Sequence, residues 1–176
     1  MKKVLLVIDM QNDFISGSLG TPEARDIVPR VCELIRQAKA EGAKVIFTLD
    51  THTEDYPDTL EGKKLPVKHC IEGEWGHELC DEIKAELTDD MIMVKKPTFG
   101  CVALMGLLFP IVDEDTEIDI AGLCTDICVI SNAMIVKALY PDNTIRVHED
   151  ACAGVTPQSH IEALNTMRMC QLDVGI

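Results

Sequence analysis

The sequence predicts an α/β protein, with a mostly parallel sheet of about six strands and helices on both faces. Three observations lead there. Short β-rich runs alternate with stretches whose apolar residues recur at helical spacing, the mark of strand–helix–strand crossovers. The first run, Lys3–Ile8, is β-rich throughout rather than alternating, as in a strand covered on both faces. Successive runs also end in charged or reactive side chains, namely Asp9, Asp50, Lys96 and the turn from Cys124 to Cys128. Crossovers gather the carboxyl ends of parallel strands along one edge, where ligands bind.

After the first strand, Asp9–Phe14 leads into a loop holding Ser16, Gly17 and Gly20. Thr21 caps a helix with Pro22 at its first position. Ile27, Val31, Leu34, Ile35 and Ala38 mark its buried stripe, and Gly42 its end. Lys44–Leu49 is the second strand. Segment 50–76 is polar and rich in Pro and Gly, and a connection of that length inside a compact domain points to function. A helix over Glu78–Leu87, a strand over Met91–Val94, a short helix around Val102–Leu108 and an acidic turn at Asp113–Asp115 follow. Glu117–Ala121 is the fourth strand. Gly122 and Thr125-Asp126 then mark a turn and an N-cap before an apolar helix ending near Tyr140. Thr144–Val147 is the fifth strand, His148–Thr156 a loop, Pro157–Cys170 the last helix and Leu172–Val174 a sixth strand.

The 176 residues suit one domain, 1–176, with a substantial core. A hydrophobic content of 47% argues against disorder, and no apolar run reaches the length of a membrane span. The opening Met1-Lys2-Lys3 and apolar run superficially resemble a signal peptide. The run is too short, ends at Asp9 and lacks a small-residue cleavage site, so a cytoplasmic location is expected. A net charge of −14 argues against a nucleic-acid partner, which would need Lys and Arg to neutralise phosphates. Eight cysteines without a C-x-x-C pair are expected to stay reduced in such a protein.

The chemistry lies at the strand ends. Cys128 falls in the first turn of a helix, where free N–H groups and the helix dipole favour a thiolate. The competing reading makes both elbow cysteines small core residues. An acid and a base on the same rim favour the nucleophile. Asp9 would take the thiol proton and pass it to a leaving amine, and Lys96 would keep Asp9 ionised. Backbone N–H groups of Cys124 and Cys128 would form an oxyanion hole. Lys95 takes the place of Lys96 if the register shifts by one. A non-enzymatic binding module gives no reason for this grouping.

Asp50 and His52, with the later His69, supply a carboxylate and two imidazoles suited to a divalent metal, although loop histidines are more often not ligands. His77, His148 and His160 have no comparable partners. Asp9-x-Gln11-x-Asp13 resembles the start of a calcium loop. Phe14 replaces the required Gly, and Gly20 the final Glu, so calcium is excluded.

With these residues assembled, the chain resembles the isochorismatase-like cysteine hydrolases, the superfamily that includes nicotinamidases. The marks are Val7-Ile8-Asp9-Met10-Gln11-Asn12-Asp13-Phe14, Gly122-Leu123-Cys124-Thr125-Asp126-Ile127-Cys128-Val129 and Asp150-Ala151-Cys152-Ala153-Gly154-Val155-Thr156. The resemblance implies a three-layer α/β/α fold, an Asp9–Lys96–Cys128 triad with Cys128 as nucleophile, and a cis peptide before Cys124. Asp50-x-His52 and Pro66-Val67-Lys68-His69-Cys70 look like the nicotinamidase metal pattern, implying zinc or another divalent ion that holds a pyridine nitrogen. The chain has one tryptophan, Trp75, so an aromatic clamp on a flat ring is not obvious, and Phe14 is the side chain expected to contribute to the substrate pocket. Thr51 stands where nicotinamidases commonly carry Trp, and Lys96 is followed by Pro97-Thr98-Phe99-Gly100 rather than aromatic-Ser-small-Phe.

The implied activity is hydrolysis of a small amide, nicotinamide or a similar compound, to acid and ammonia through a thioester. A carbamoyl or ureido amidase, and a vinyl-ether hydrolase of the isochorismatase type, are the alternatives. Members of the superfamily are often dimers or tetramers. A homo-oligomer is therefore expected, with the apolar helix at Met105–Phe109 as a candidate interface.

Overall fold

The computed structural model describes residues 2–175. In chain order the elements are β1 (Lys3–Ile8), α1 (Asn12–Ile15), α2 (Pro22–Asp26), α3 (Val28–Glu41), β2 (Lys44–Asp50), α4 (Leu60–Lys64) and α5 (Asp81–Lys84). There follow β3 (Ile92–Lys96), α6 (Leu104–Leu108), β4 (Glu117–Leu123), α7 (Ile130–Leu139), β5 (Ile145–Ala153), α8 (Pro157–Met169) and β6 (Asp173–Gly175). The six strands form one parallel sheet in the order β3-β2-β1-β4-β5-β6.

Successive side chains of a strand point to opposite faces, and β1 divides the core accordingly. Leu5 and Val7 pack with Val31, Leu34 and Ile35 of α3 on one face. Val4, Leu6 and Ile8 pack on the other with Leu104 and Leu108 of α6, Ala133 and Val136 of α7, and Leu164 and Met167 of α8. The expected α/β/α sandwich is therefore present. Crossovers from β1 run outward through β2 and β3, and β4 then returns to the opposite side of β1. The gap between the ends of β1 and β4 is thus the topological switch point, where such sheets bind ligands.

Several elements depart from the sequence expectation for identifiable reasons. The helix expected from Thr21 breaks at Ile27 into α2 and α3, because Pro29 lacks an N–H and crowds the preceding turn. Only Asp81–Lys84 of the expected helix Glu78–Leu87 is helical. Its first residues are held extended, with Asn12 N–H donating to Glu78 O and Cys80 N–H to Met10 O. β5 continues to Ala153, through residues expected to form a loop. Its polar stretch His148-Glu149-Asp150 hides a strand that re-pairs with Gly122 and Leu123 after a register shift. Segment 50–76 is less bare than its composition suggests, holding α4 and an isolated bridge between His52 and Ile71.

Gly122 sits at that shift with φ 123°. A Cβ there would lie 2.1 Å from Ile8 O. Gly122→Ala should therefore destabilise the protein by at least about 2 kcal/mol, read from denaturant unfolding. Wild-type stability would show that β1 and β4 can separate at the site.

Candidate active site

The sheet order places Lys96, Asp50, Asp9 and the Leu123–Cys124 peptide at the ends of four neighbouring strands. Asp9 leaves β1 with φ 48°, a left-handed backbone that Asp tolerates better than most residues. The Thr48 hydroxyl donates to its Oδ1 at 2.6 Å. Lys96 reaches across the end of β2, with Nζ 2.7 Å from Asp9 Oδ2, 3.0 Å from Asp50 Oδ1 and 3.5 Å from Cys128 Sγ. Asp9, Lys96 and Cys128 are all buried. Lys95 instead pairs with Glu72 on the exposed side. The Lys96 ammonium thus forms a buried ion pair with Asp9 Oδ2, while the Thr48 hydroxyl holds the other oxygen.

Burial raises the Asp9 pKa, and Lys96 only partly offsets it. Burial acts oppositely on Lys96, but Asp9, Cys128 and Asp50 reverse it and keep the ammonium charged. Burial also pushes Cys128 well up, with Asp9 adding to the effect, and pushes Cys124 up to about 12. Burial therefore works against the thiolate that a helix end would favour.

The elbow itself differs from a capped α-helix. The Leu123–Cys124 peptide is cis, as the resemblance implies, and Thr125–Val129 form a π turn ahead of α7. Cys124, not Thr125 or Asp126, occupies the cap position, without a side-chain capping bond. Asn132, one turn on, donates to Cys128 O at 2.8 Å and accepts from Cys101 N–H at 2.7 Å. These bonds lock α7 and the segment before α6 behind the thiol.

The second group adjoins the first through Asp50. Its Oδ2 is 3.0 Å from His52 Nε2 and 3.5 Å from His69 Nε2. Glu61 Oε1 is 3.7 Å and 3.8 Å from the same nitrogens. One donor atom from each of Asp50, His52, Glu61 and His69 lies within 4.8 Å of the others. Tetrahedral zinc ligands about 2.0–2.2 Å from the ion would stand roughly 3.3–3.6 Å apart, so the set fits a divalent ion. His69 Nδ1 lies 2.9 Å from Val67 O, leaving Nε2 directed at the group. Charge also favours a cation here, because Asp9 and Asp50 share the one ammonium of Lys96 while Glu61 adds a third carboxylate beside the imidazoles. Burial opposes the Asp50 charge, but His52, His69 and Lys96 together hold it well below the usual carboxylate range.

A cavity of about 250 Å³ joins the two groups, lined by Asp50, Glu61, His69, Cys124 and Cys128 with apolar walls. Phe14 lies in this wall, its ring 5.6 Å from that of His69. Sequence reasoning missed Glu61, Phe99, Leu65, Ile127 and Val155, all of which line the cavity. Glu61 gives no signal, being one of several carboxylates in a polar loop. Its placement comes from α4, which Thr59 caps by accepting from Gly62 N–H. Gln11 was also overlooked as a strut. Its amide accepts from Asp50 N–H and donates to Asp50 O, each at 2.8 Å.

Known proteins resemble this chain over essentially its whole length. The isochorismatase domain model matches residues 3–175. A crystal structure of nicotinamidase from Bacillus subtilis superposes with a TM-score of 0.85 at 28% identity, covering 100% of both chains. The pyrazinamidase of Pyrococcus horikoshii in complex with zinc gives 0.82 at 25% identity, over 98% of this chain and 97% of that one. The N-carbamoylsarcosine amidase of Thermoplasma acidophilum gives 0.81 at 30% identity, over 99% and 96%. The chain belongs to the isochorismatase family, on the branch that holds the nicotinamidases.

Removing one partner of a buried ion pair costs about 3–5 kcal/mol. Lys96→Met should destabilise by that order at pH 8. The loss should shrink towards pH 5, because burial already raises Asp9 and, without the ammonium, protonation relieves its charge. A loss that grows as pH falls would contradict the assigned charges. Denaturant midpoints across this pH range measure it.

Proposed function

We propose that the protein is a cysteine-dependent amidohydrolase that cleaves a small, flat amide, nicotinamide or a close analogue, to the acid and ammonia. The observation that carries this reading is the buried grouping of Asp9, Lys96 and Cys128, with Cys128 opening onto a largely apolar cavity that Asp50, Glu61 and His69 of the second cluster also line. Asp9, ion-paired with Lys96, takes the Cys128 proton as the sulfur attacks the amide carbon. Transferring the proton at attack suits a thiol whose pKa burial raises. Backbone N–H groups of Cys124 and Cys128 hold the oxyanion, and such donors are typically worth about 10²–10³ in rate each. Asp9 then protonates the departing nitrogen, ammonia leaves, and water activated by Asp9 hydrolyses the thioester. Lys96 stays charged throughout and stabilises Asp9 as an anion.

Asp50, His52, Glu61 and His69 would hold zinc or another divalent ion, which when bound supplies a Lewis-acidic site for a ring nitrogen. Phe14 and Phe99 offer apolar surface for the ring. The carbamoylsarcosine amidase likeness keeps a ureido substrate as the second reading. The cavity lining contains no Arg or Lys to receive an acid-bearing substrate, which favours a neutral amide.

Ammonia release across a panel of nicotinamide, pyrazinamide and carbamoyl compounds tests the assignment. Nicotinamide-type amides should turn over fastest. Cys128→Ala should abolish turnover, by at least about 10³-fold, while Cys124→Ala keeps much of it; the reverse pattern would sink the choice of nucleophile. Elemental analysis of unchelated protein should find close to one divalent ion per chain, falling on Glu61→Ala or His52→Ala. Metal-free protein with full activity, indifferent to added zinc, would refute the metal site.

A further inference from the structure

Thr125 and Asp126 are not used in capping the helix that follows them. The Thr125 side chain is fully buried, and its Oγ1 lies 2.8 Å from His160 Nδ1 on α8. The Asp126 carboxylate accepts the Val155 N–H at 3.1 Å and 3.2 Å. The elbow is therefore tied at two consecutive residues to the entrance of α8.

That entrance is stiff. Thr156 and Ser159 form a reciprocal capping box, with Pro157 in the first turn. Gly154 brings the incoming chain so close that a Cβ there would stand 2.8 Å from His160 N. Burial keeps His160 below its usual pKa, with Arg168 acting the same way against Asp126 and Glu149. A neutral ring can accept the Thr125 proton at Nδ1. Thr125 follows Cys124 and lies three residues before Cys128, so its anchor sets the position of both elbow N–H groups and the sulfur.

We propose that His160 is a positioning residue for the nucleophile elbow, acting through Thr125 and touching neither substrate nor sulfur. This rests on the cysteine mechanism proposed above for the role of Cys128. Asn places a polar atom where Nδ1 stands, whereas Gln is nearer His in bulk but displaces that atom. A role in packing alone would favour His160→Gln, and a hydrogen-bonding role favours His160→Asn.

The test compares His160→Asn, His160→Gln, Thr125→Val and the Thr125→Val/His160→Gln double variant. Two readouts are used: iodoacetamide alkylation of Cys128 followed by peptide mass spectrometry, and kcat and KM for ammonia release. His160→Asn should stay near wild type in both. His160→Gln and Thr125→Val should each lower kcat by roughly tenfold, the worth of a buried hydrogen bond with one partner orphaned. KM should be little changed. Both variants should shift the Cys128 alkylation rate by the same factor, and the double variant should be no worse than either single one, because one interaction is lost once.

Equal behaviour of the Asn and Gln variants, or losses that multiply in the double variant, would overturn the proposal. If Thr125→Val does not fold, the Asn-against-Gln contrast decides alone. The alkylation arm needs no substrate. A wild-type protein inert towards every amide would count against the amidase reading, whereas Gln-variant alkylation at the wild-type rate would count against this one.

Discussion

The ammonium of Lys96, held between the carboxylates of Asp9 and Asp50, is the interaction on which the rest of the site depends. It ties the ends of β3, β2 and β1 at 3.0 Å and 2.7 Å while remaining 3.5 Å from the Cys128 sulfur. Neighbouring strands stand about 4.8 Å apart, so a residue on β3 meets one on β1 only through a side chain long enough to pass over β2. Lysine is such a side chain, and its charge permits two carboxylates to be buried side by side. The sheet order and the ion pair require each other. Had β4 been inserted between β1 and β2, the same residues could not meet.

The same burial governs the chemistry. Desolvation pushes the Cys128 thiol and the Asp9 carboxyl up together, which suits a proton that moves as the sulfur attacks in the proposed reaction. The second group works in the opposite sense. Asp50 remains ionised because two imidazoles and Lys96 surround it, and it belongs to both constellations. A metal bound by the cluster would therefore compete with Lys96 for the charge on Asp50 and tune the pair that holds Asp9. The excess of carboxylates around one ammonium is a reason for a divalent ion that does not depend on any relative.

What could be read from the sequence follows from how local each cause is. Strand ends announce themselves as apolar runs closed by a polar residue, so Asp9, Asp50, Lys96 and the cysteine elbow were visible in one dimension. Glu61 was not, because its approach to His52 and His69 depends on the fold of a polar loop with no periodicity. The polar stretch at His148 concealed the rest of β5, whose pairing with Gly122 is long-range. Thr125-Asp126 has the composition of an N-cap. Its hydrogen bonds instead go to α8 and the turn just before it, far along the chain, and no local rule could assign them.

The central claim is that Cys128 forms a covalent acyl intermediate while Asp9 moves the proton. Acid-quenching the protein during turnover of nicotinamide and measuring intact and peptide masses tests this most directly. The account predicts an adduct of the acyl group on the peptide carrying Cys128, removed by hydroxylamine and absent from Cys128→Ala. Turnover without any adduct in wild type, and undiminished in Cys128→Ala, would contradict it.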